Sequence, residues 1–187
     1  MTHTHDLLGT SRLRFRSATP DDVAWLAALF RATDLRPFPR DAEPPNDADV
    51  AALLAEIAHA HAPHGLWLLE ERAGAAIVGC VGLVPPGAAA EADARHHGAS
   101  EALIALLPAH RGQGHATEAL AAVVHHAFER HGWTRLAAAI PVGDGCARRL
   151  AERLGFRFTS EVAGPASRLA TWQLDRAGFV AADVLAA

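Results

Sequence analysis

A glycine-containing loop in the second half of the sequence has the residue types needed to bind phosphate groups. It lies between a segment typical of a β-strand and a segment typical of an amphipathic helix, and it contains Gly112 and Gly114. Glycine lets backbone N–H groups approach a ligand closely, and a helix N-terminus adds partial positive charge at the same place. Arg111 adds a full positive charge beside them. The loop is therefore suited to phosphate oxygens, although two glycines alone are at least as typical of a tight strand-to-helix turn.

Two widespread phosphate-binding motifs do not match this loop. A dinucleotide-binding fold needs Gly-x-Gly-x-x-Gly in its first strand-to-helix turn and an acidic residue about 20 positions later. A Walker loop needs Lys followed by Ser or Thr, and the chain contains no Lys. A phosphate-binding fold that uses another nucleotide is therefore the weakest of the interpretations considered.

The pattern Arg111-x-x-Gly114-x-Ala116 resembles the acetyl-CoA pyrophosphate loop of the GNAT superfamily of N-acetyltransferases, whose motif is (Gln/Arg)-x-x-Gly-x-(Gly/Ala). The extension through residues 118–120, Glu-Ala-Leu, looks like the Rim-type branch, which acetylates the N-termini of ribosomal proteins. The order of elements follows the family from residue 12 to residue 175. Further matching stretches are Ile77–Leu83, Ala127–Phe128, Arg135 and Arg153–Phe156.

The resemblance implies that the loop and the strand before it bind acetyl-CoA, the cosubstrate of this family. In these enzymes that strand diverges from its neighbour, and its backbone pairs with the pantetheine arm of the cofactor. The matching residues here are Leu106, Leu107 and Pro108. Backbone N–H groups of the loop would hold the pyrophosphate together with Arg111. The loop residues at these positions are Gly112, Gln113, Gly114, His115, Ala116 and Thr117.

Two family positions are altered in this chain. Asp144 stands where the family has the Asn of a later Asn-x-x-Ser signature, and it can contact the pantetheine arm or cap the following helix. Ala151 stands where many relatives have a Tyr that protonates the leaving thiolate, and the chain contains no Tyr. Rim-type relatives commonly lack this Tyr as well. Cys146 and water are the remaining candidates for the acid.

The reaction implied by the resemblance needs a group that removes a proton from the attacking amine. Glu101 lies on the strand that leads into the loop, matches an acidic position of the Rim-type branch and is the first candidate for this base. His110, next to the loop, is the second candidate, as a proton relay. The alternatives are a solvated carboxylate at a strand edge and an inert surface histidine.

The other histidines do not form a metal-binding pattern. Neighbouring histidines do not share a helix face, next-but-one histidines seldom do, and no His-Glu-x-x-His spacing occurs. We therefore expect no metal site. The groups considered are His3/His5, His59/His61/His64, His96/His97 and His125/His126.

The composition bears on partners and compartment. The 187-residue chain is half apolar and has a formal charge of −4, whereas a nucleic-acid-binding protein usually needs an excess of positive charge. Only two cysteines occur, at no metal-binding spacing, which favours a reducing compartment. The sequence shows neither a signal peptide nor an apolar run long enough to cross a bilayer. We therefore expect a soluble cytoplasmic protein without nucleic-acid or membrane partners, and a homodimer is one open option.

The elements that would position the loop are short alternating strands and helices. The hydrophobic pattern predicts an α/β (α+β) fold, a mixed sheet of about seven strands with about four helices, in one domain over residues 1–187 with its core at 12–175. A connecting helix at 115–131 should make strands 101–107 and 135–140 parallel. The other strands are predicted at 12–17, 66–70, 76–84, 156–161 and 168–174, and the other helices begin at Thr19, near Asp47 and at 145.

The resemblance therefore implies an acetyl-CoA-dependent N-acetyltransferase that transfers the acetyl group directly to an amine acceptor in a ternary complex. A protein N-terminus and a small amine are both open as the acceptor. The rival interpretation is a non-catalytic module that binds acyl-CoA, supported by Asp144 and the missing Tyr. Thiol release from acetyl-CoA in the presence of amines would distinguish the two.

Overall fold

A seven-stranded mixed sheet with helices on both faces forms the framework of the molecule. The computed structural model describes residues 8–33, 45–60, 64–85, 100–163 and 168–179. The strands are β1 (Leu13–Ser17), β2 (Gly65–Glu71), β3 (Ile77–Val84), β4 (Ser100–Leu106), β5 (Arg135–Pro141), β6 (Arg157–Ala163) and β7 (Arg168–Asp175). The helices are α1 (Val23–Thr33), α2 (Asp47–His59), α3 (His115–His125) and α4 (Gly145–Leu154). Short 3-10 turns lie at Pro20–Asp22, Pro108–His110 and Arg176–Gly178, and a π turn lies at His126–Arg130.

The strands run in the order β1-β2-β3-β4-β5-β7-β6. Neighbouring strands are antiparallel except β4 and β5, which are parallel as the sequence predicts. This parallel pair is short, because only Ser100 with Leu136 and Glu101 with Ala137 are in register. Beyond Glu101 the two strands separate, and a gap opens in the sheet towards the C-terminal end of β4.

Each face of the sheet is covered by a different pair of helices. One buried cluster joins the sheet to α3 and α4 and includes Leu120 and Leu154. The other joins it to α1 and α2 and includes Phe30 and Leu53. Burying one such side chain contributes roughly 1.5–3 kcal/mol, so both helix layers are firmly attached to the strands that border the gap.

Successive residues of β4 point to opposite faces of the sheet. Ala102 and Leu106 belong to the cluster with α3 and α4, whereas Leu103 and Ala105 belong to the cluster with α1 and α2. Because side chains alternate along a strand, Glu101 lies on the same face as Leu103 and Ala105. The carboxylate of Glu101 is therefore on the α1–α2 side of the sheet.

The predicted mixed sheet and flanking helices are confirmed, with small differences at the element ends. The helix predicted at 115–131 is regular only to His125 and continues as the π turn, in which Ala127 and Phe128 stay buried. Most of residues 34–46 and 85–98, where the sequence predicts neither a helix nor a strand, lie outside the described residues. No helix in the described part of the chain has the length and apolar character needed to cross a bilayer.

Candidate active site

The glycine loop lies at the end of β4, where the sheet has opened. After β4 the chain makes the turn Pro108–His110, passes through the loop and begins α3 at His115. Gly112 and Gly114 have φ values of +74° and +83°, which side chains other than glycine rarely adopt. Gly114 is the N-cap residue of α3, and no side chain caps this helix. The two glycines are therefore required by the turn itself.

The start of α3 presents a row of unused hydrogen-bond donors. The N–H of Glu118 donates to the carbonyl of Gly114 at 3.1 Å, as in a regular helix. The N–H groups of residues 112–117 have no acceptor in the part of the chain that the structure describes. Such groups at a helix N-terminus attract anions, because the helix dipole adds its positive end to them. The loop can therefore hold a phosphate group by its backbone alone.

The end of β4 directs backbone groups into the gap. The N–H of Leu107 donates to the carbonyl of Val78 on β3 at 2.9 Å. Because the backbone groups of successive strand residues point to opposite edges, the N–H and C=O of Leu106 point away from β3, towards β5. The side chain of Arg111 reaches this edge, where its Nε donates to the carbonyl of Leu106 at 3.1 Å. A guanidinium group thus lies at the mouth of the gap.

An ion pair between a half-exposed arginine and a buried glutamate supports the loop. The guanidinium of Arg12 donates to the carbonyl of Gln113 at 2.9 Å and, through Nε, to the carboxylate of Glu118 at 2.6 Å. Glu118 is only 8 % exposed; burial by itself would raise its pKa, but hydrogen bonds from Thr10 and Arg12 outweigh burial and lower it. Glu118 is therefore held ionised, and it ties the loop to the start of β1.

Sequence analysis did not identify the Arg12–Glu118 pair. The two residues are 106 positions apart, and no local pattern links an arginine at the start of a strand to a glutamate in a helix. Arg153, on α4, was also missed: its Nη1 lies 3.3 Å from the Oγ1 of Thr117. This contact brings a second exposed guanidinium to the first turn of α3.

Glu101 lies at the last position where β4 still pairs with β5. Its side chain is partly buried, on the α1–α2 side of the sheet. Leu106 lies five residues further along the same strand, where the gap is open. Glu101 and the backbone edge of Leu106 are thus positioned at the two ends of one cleft.

The two candidate histidines near the loop point to the other side. His110 and His115 both face Glu71 at the end of β2, with Nδ1 to Oε1 distances of 3.3 Å and 3.9 Å. Two strands separate β2 from the gap, because β3 and β4 lie between β2 and β5. The structure therefore places Glu101 at the gap and directs the His110 side chain away from it.

A family model described as the acetyltransferase (GNAT) domain matches residues 12–157. This match covers most of the chain, including β4, the glycine loop and α4. The chain belongs to the GNAT acetyltransferases. It is therefore an acetyl-transferring enzyme whose acetyl donor is acetyl-CoA, and family membership favours catalysis over a non-catalytic acyl-CoA-binding module.

Solved structures of other acetyltransferases have the same fold. A Bordetella pertussis protein assigned to the GNAT family is 24 % identical with a TM-score of 0.73, over 89 % of this chain and 97 % of that one. A mutant spermidine N-acetyltransferase from Vibrio cholerae is 18 % identical with a TM-score of 0.66, and the match covers 90 % of this chain and 96 % of that one. A Salmonella typhimurium protein assigned as an acetyltransferase, solved with its cofactor acetyl-CoA, is 19 % identical with a TM-score of 0.65. That match covers 88 % of this chain and 94 % of the other. No curated protein matches the chain significantly in sequence.

The features of this GNAT loop fit the pyrophosphate of acetyl-CoA. Unused N–H donors, two glycines with positive φ and the nearby positive charge of Arg111 are features that a bound dianion needs. Asp144, which stands where the family has Asn, caps α4 by accepting from the N–H groups of Cys146 and Ala147 at 3.0 and 2.9 Å. Of the two roles that the sequence left open for Asp144, its contacts within the chain are those of a helix cap.

The structure also gives the positions of Cys146 and Ala151, whereas several of the histidines considered lie outside the described residues. Cys146, considered as the acid, is exposed on α4, and its Sγ lies 3.3 Å from Nη2 of Arg149. The Tyr position of the family, Ala151, is buried in the core. The histidines that lie outside the described residues are His3, His5, His61, His96 and His97.

Proposed function

We propose that this GNAT enzyme transfers the acetyl group of acetyl-CoA directly to a primary amine. The observation that supports this most strongly is the divergence of β4 from β5 immediately after Glu101, with the glycine loop at the far end of the same strand. One strand thus joins an anion-binding loop, an unpaired backbone edge and a carboxylate. These are the parts that acyl transfer from a phosphate-bearing thioester requires.

The cofactor would be held by the chain in three parts. The N–H groups of Gly112–Thr117 and the guanidinium of Arg111 would bind the pyrophosphate. The backbone of Leu106, Leu107 and Pro108 would pair with the pantetheine arm in place of the missing β5 neighbour. Arg12 would act indirectly, because its bond to the carbonyl of Gln113 fixes the loop in the binding conformation. Acetyl-CoA supplies an acetyl thioester, which is activated for attack by an amine.

Glu101 would act as the general base. An amine reaches the enzyme mostly protonated at neutral pH, and it must lose a proton before or as it attacks the carbonyl carbon. Glu101 lies where β4 and β5 part, so its carboxylate lies beside the cleft. Its side chain faces α1 and α2, which supports an acceptor site on that side of the sheet. His110 is the second candidate, but its contact with Glu71 favours Glu101.

Backbone and solvent would complete the reaction. The amine nitrogen first bonds to the carbonyl carbon, which puts negative charge on the carbonyl oxygen; the C–S bond then breaks and the charge passes to sulfur. The N–H of Leu106 points into the gap and can stabilise the charge on oxygen. Because the chain contains no Tyr, water or the exposed Cys146 would protonate the thiolate. Holding both substrates in this cleft would supply much of the rate acceleration.

The class of amine is the finer part of the proposal. The residues 118–120, Glu-Ala-Leu, which resemble the Rim-type branch, favour a protein N-terminus. The structural likeness to a spermidine N-acetyltransferase favours a small polyamine. Both acceptors present a primary amine to the same cleft, so the chemistry assigned to Glu101 is common to them.

A turnover assay with a panel of amines tests the proposed function. Thiol release from acetyl-CoA is measured with peptides that carry a free α-amino group, with spermidine and with single amino acids, each compared with its N-acetylated form. We expect release only with the unblocked amines. Binding of acetyl-CoA without amine-dependent thiol release from any member of the panel would overturn the proposal.

The variant Glu101→Gln tests the base. Because general bases typically contribute 10²–10⁴-fold, we expect kcat/KM at pH 7 to fall by at least tenfold while the affinity for acetyl-CoA is unchanged. Raising the pH should recover part of the loss, since more of the amine then arrives deprotonated. Glu161→Gln, an exposed glutamate of β6 that pairs with Arg168, serves as the control. A Glu101→Gln enzyme with an unchanged rate and pH profile would contradict the assignment, and His110→Ala measured beside it would show whether the proton leaves on that side.

A further inference from the structure

Two histidines and a carboxylate converge behind the glycine loop, on its β2 side. Glu71 is the last residue of β2, His110 ends the turn before the loop and His115 begins α3. Nδ1 of His110 lies 3.3 Å and Nδ1 of His115 lies 3.9 Å from the same oxygen of Glu71. One ligand atom from each of the three side chains lies within 4.8 Å of the other two. This cluster is outside the cleft between β4 and β5.

The buried histidine of this cluster has an unsatisfied ring nitrogen. His115 is 5 % exposed, and its Nδ1 has no hydrogen-bond partner among the described residues. Leaving a buried polar atom unpaired is costly, and native proteins rarely do so. The atom therefore needs a ligand, which is either an ordered water or a cation. The neighbours of the atom decide between the two, because a carboxylate and a second imidazole offer lone pairs to a cation.

We propose that Glu71, His110 and His115 bind a divalent transition-metal ion of the zinc class. Around a tetrahedral zinc ion, ligand atoms at about 2.0–2.2 Å from the metal are roughly 3.3–3.5 Å apart. The 3.3 Å and 3.9 Å distances are close to that spacing. Glu71 and His110 keep about a quarter of their side-chain surface exposed, so they can adjust around the fixed ring of His115.

The donor set selects the type of metal. Two imidazoles and one carboxylate suit zinc, cobalt, nickel and copper, whereas magnesium and calcium prefer oxygen ligands alone. The exposed side of Glu71 and His110 leaves an open position, which water can occupy as the fourth ligand. Zinc is therefore the ion we assign, with magnesium as the ion that should not bind.

The local spacing of histidines could not reveal this site. The expectation of no metal was based on close repeats such as His-Glu-x-x-His, whereas Glu71 and His110 are 39 positions apart. They meet because the order of the sheet brings the end of β2 near the turn after β4. A bound ion would connect β2 to both ends of the glycine loop, through His110 before it and His115 after it. The inference concerns metal binding and does not depend on the proposed acceptor or base.

Zinc binding to the untagged, chelator-treated full chain tests the proposal. We expect calorimetric titration with zinc chloride to show one tight equivalent per chain, and the melting temperature to rise when zinc is present. Magnesium chloride at the same concentrations should cause neither effect. Glu71→Gln and His110→Ala should each abolish the tight equivalent and the zinc-dependent rise in melting temperature.

A matched control separates this site from surface histidines. His126 and His131 form another close pair, with their Nε2 atoms 3.1 Å apart on the exposed surface. His131→Ala should leave the tight equivalent in place. His115→Gln should remove the equivalent too, and circular dichroism will show whether that buried variant is folded. If His115→Gln does not fold, the Glu71→Gln and His110→Ala variants still test the site, because both residues are partly exposed.

Two results would overturn the proposal. The first is a wild-type chain without a tight equivalent of zinc, which would assign the unpaired nitrogen of His115 to a buried water. The second is a tight equivalent that survives in folded Glu71→Gln and His110→Ala, whether or not His131→Ala retains it. Either result leaves the acetyl-transfer proposal unaffected, because its assays measure thiol release and not metal binding.

Discussion

The N-termini of α3 and α4 occupy equivalent places in the sheet but are built differently. α3 follows β4 and α4 follows β5, and the carboxyl ends of these parallel strands lie at the same edge of the sheet. α3 begins with Gly114, which has no side chain to satisfy the first N–H groups of the helix. α4 begins with Asp144, whose carboxylate accepts from two of those groups. The donors of α3 are therefore available to a ligand, whereas two donors of α4 are already used.

The charges near the two helices strengthen this difference. The acidic residue in the first turn of α3, Glu118, is paired with Arg12, and Arg111 adds an exposed positive charge. Asp144 places an exposed negative charge at the start of α4 instead. An anionic cofactor would thus meet positive charge at α3 and negative charge at α4. We propose that the residue at the cap decides which of these two helix termini binds phosphate.

The variant Gly114→Asp should have the largest effect, because it converts the start of α3 into a copy of α4. A carboxylate at this position would take up the N–H donors and repel the pyrophosphate. Two lost charge-assisted hydrogen bonds at roughly 1.5 kcal/mol each predict at least a hundredfold weaker binding of acetyl-CoA. Calorimetric titration and the acetyl-CoA-dependent shift in melting temperature measure this loss.

Gly114→Ala is the control for backbone strain, since it adds a Cβ at φ +83° without a charge. A Cβ there would lie 3.2 Å from Nη2 of Arg12, which is the end of a flexible side chain. We expect a smaller loss of affinity than with Asp. Folded Gly114→Asp with wild-type affinity would place the cofactor elsewhere.

Arg111→Ala should have the next largest effect, because it removes the guanidinium at the mouth of the gap. A hydrogen bond to a charged group contributes roughly 1.5–3 kcal/mol, so the dissociation constant of acetyl-CoA should rise by about ten- to a hundredfold. The effect should be larger at low salt, where the charge is less screened. Arg148→Ala is the matched control, as an exposed arginine of α4 paired with Glu152. Equal effects of the two variants, or no dependence on salt, would contradict a phosphate contact.

Asp144→Ala should destabilise the protein through loss of the cap on α4. Caps of this type contribute about 0.5–2 kcal/mol, and each kcal/mol corresponds to roughly 2–4 °C in melting temperature for a chain of this size. Asp144→Asn keeps a capping oxygen, so it should retain most of the stability. Thermal unfolding of both variants measures the difference, and an Ala variant as stable as the wild type would show that the cap contributes nothing. The affinity for acetyl-CoA in the same variants tests whether position 144 also contacts the cofactor.

Glu118→Gln should have the smallest effect, and one that depends on pH. The fold lowers the pKa of Glu118 from its ordinary value of 4.5, because the hydrogen bonds from Thr10 and Arg12 outweigh burial. The stability that the ionised group contributes is therefore fully present above 4.5 and is lost as the pH falls through the lower, folded value. We expect the wild type to melt a few degrees above Glu118→Gln at pH 7, corresponding to about 1 kcal/mol, and this difference in melting temperature to become smaller in acid. A difference that does not change with pH would assign the lost stability to packing.

Most of the framework follows from local patterns in the sequence. The amphipathic period of residues 115–131 predicts α3, which is regular only to His125, and the pattern of residues 145–154 predicts α4, which ends at Gly155 with a φ of +92°. The parallel pairing of β4 and β5 follows from the connecting helix, since a crossover of that kind returns the chain in the same direction. Residues 112–117 were assigned to a phosphate loop from glycine spacing, charge and resemblance. That assignment remains a prediction, supported by the unused N–H donors.

Other contacts could not be predicted, because they depend on which strands become neighbours. Arg12 supports the loop, and Glu71 faces His110, only after the sheet has assembled in its particular order. Distances along the chain carry no information about such pairs. The direction of the His110 side chain could not be predicted either, since a residue next to a loop can face either side of it.

The sequence by itself determined the elements, the positive charge at the loop and the uncapped start of α3, because each depends on residues within a few positions of one another. Only the tertiary structure decided that the loop opens onto a gap in the sheet, that Glu101 lies at the closed end of that gap and that two histidines meet Glu71 behind it. The physical reason is the range of the interactions. Caps, turns and periodicity act over one or two turns of the chain, whereas the cleft and the histidine cluster depend on strand order and on burial, which belong to the whole sheet.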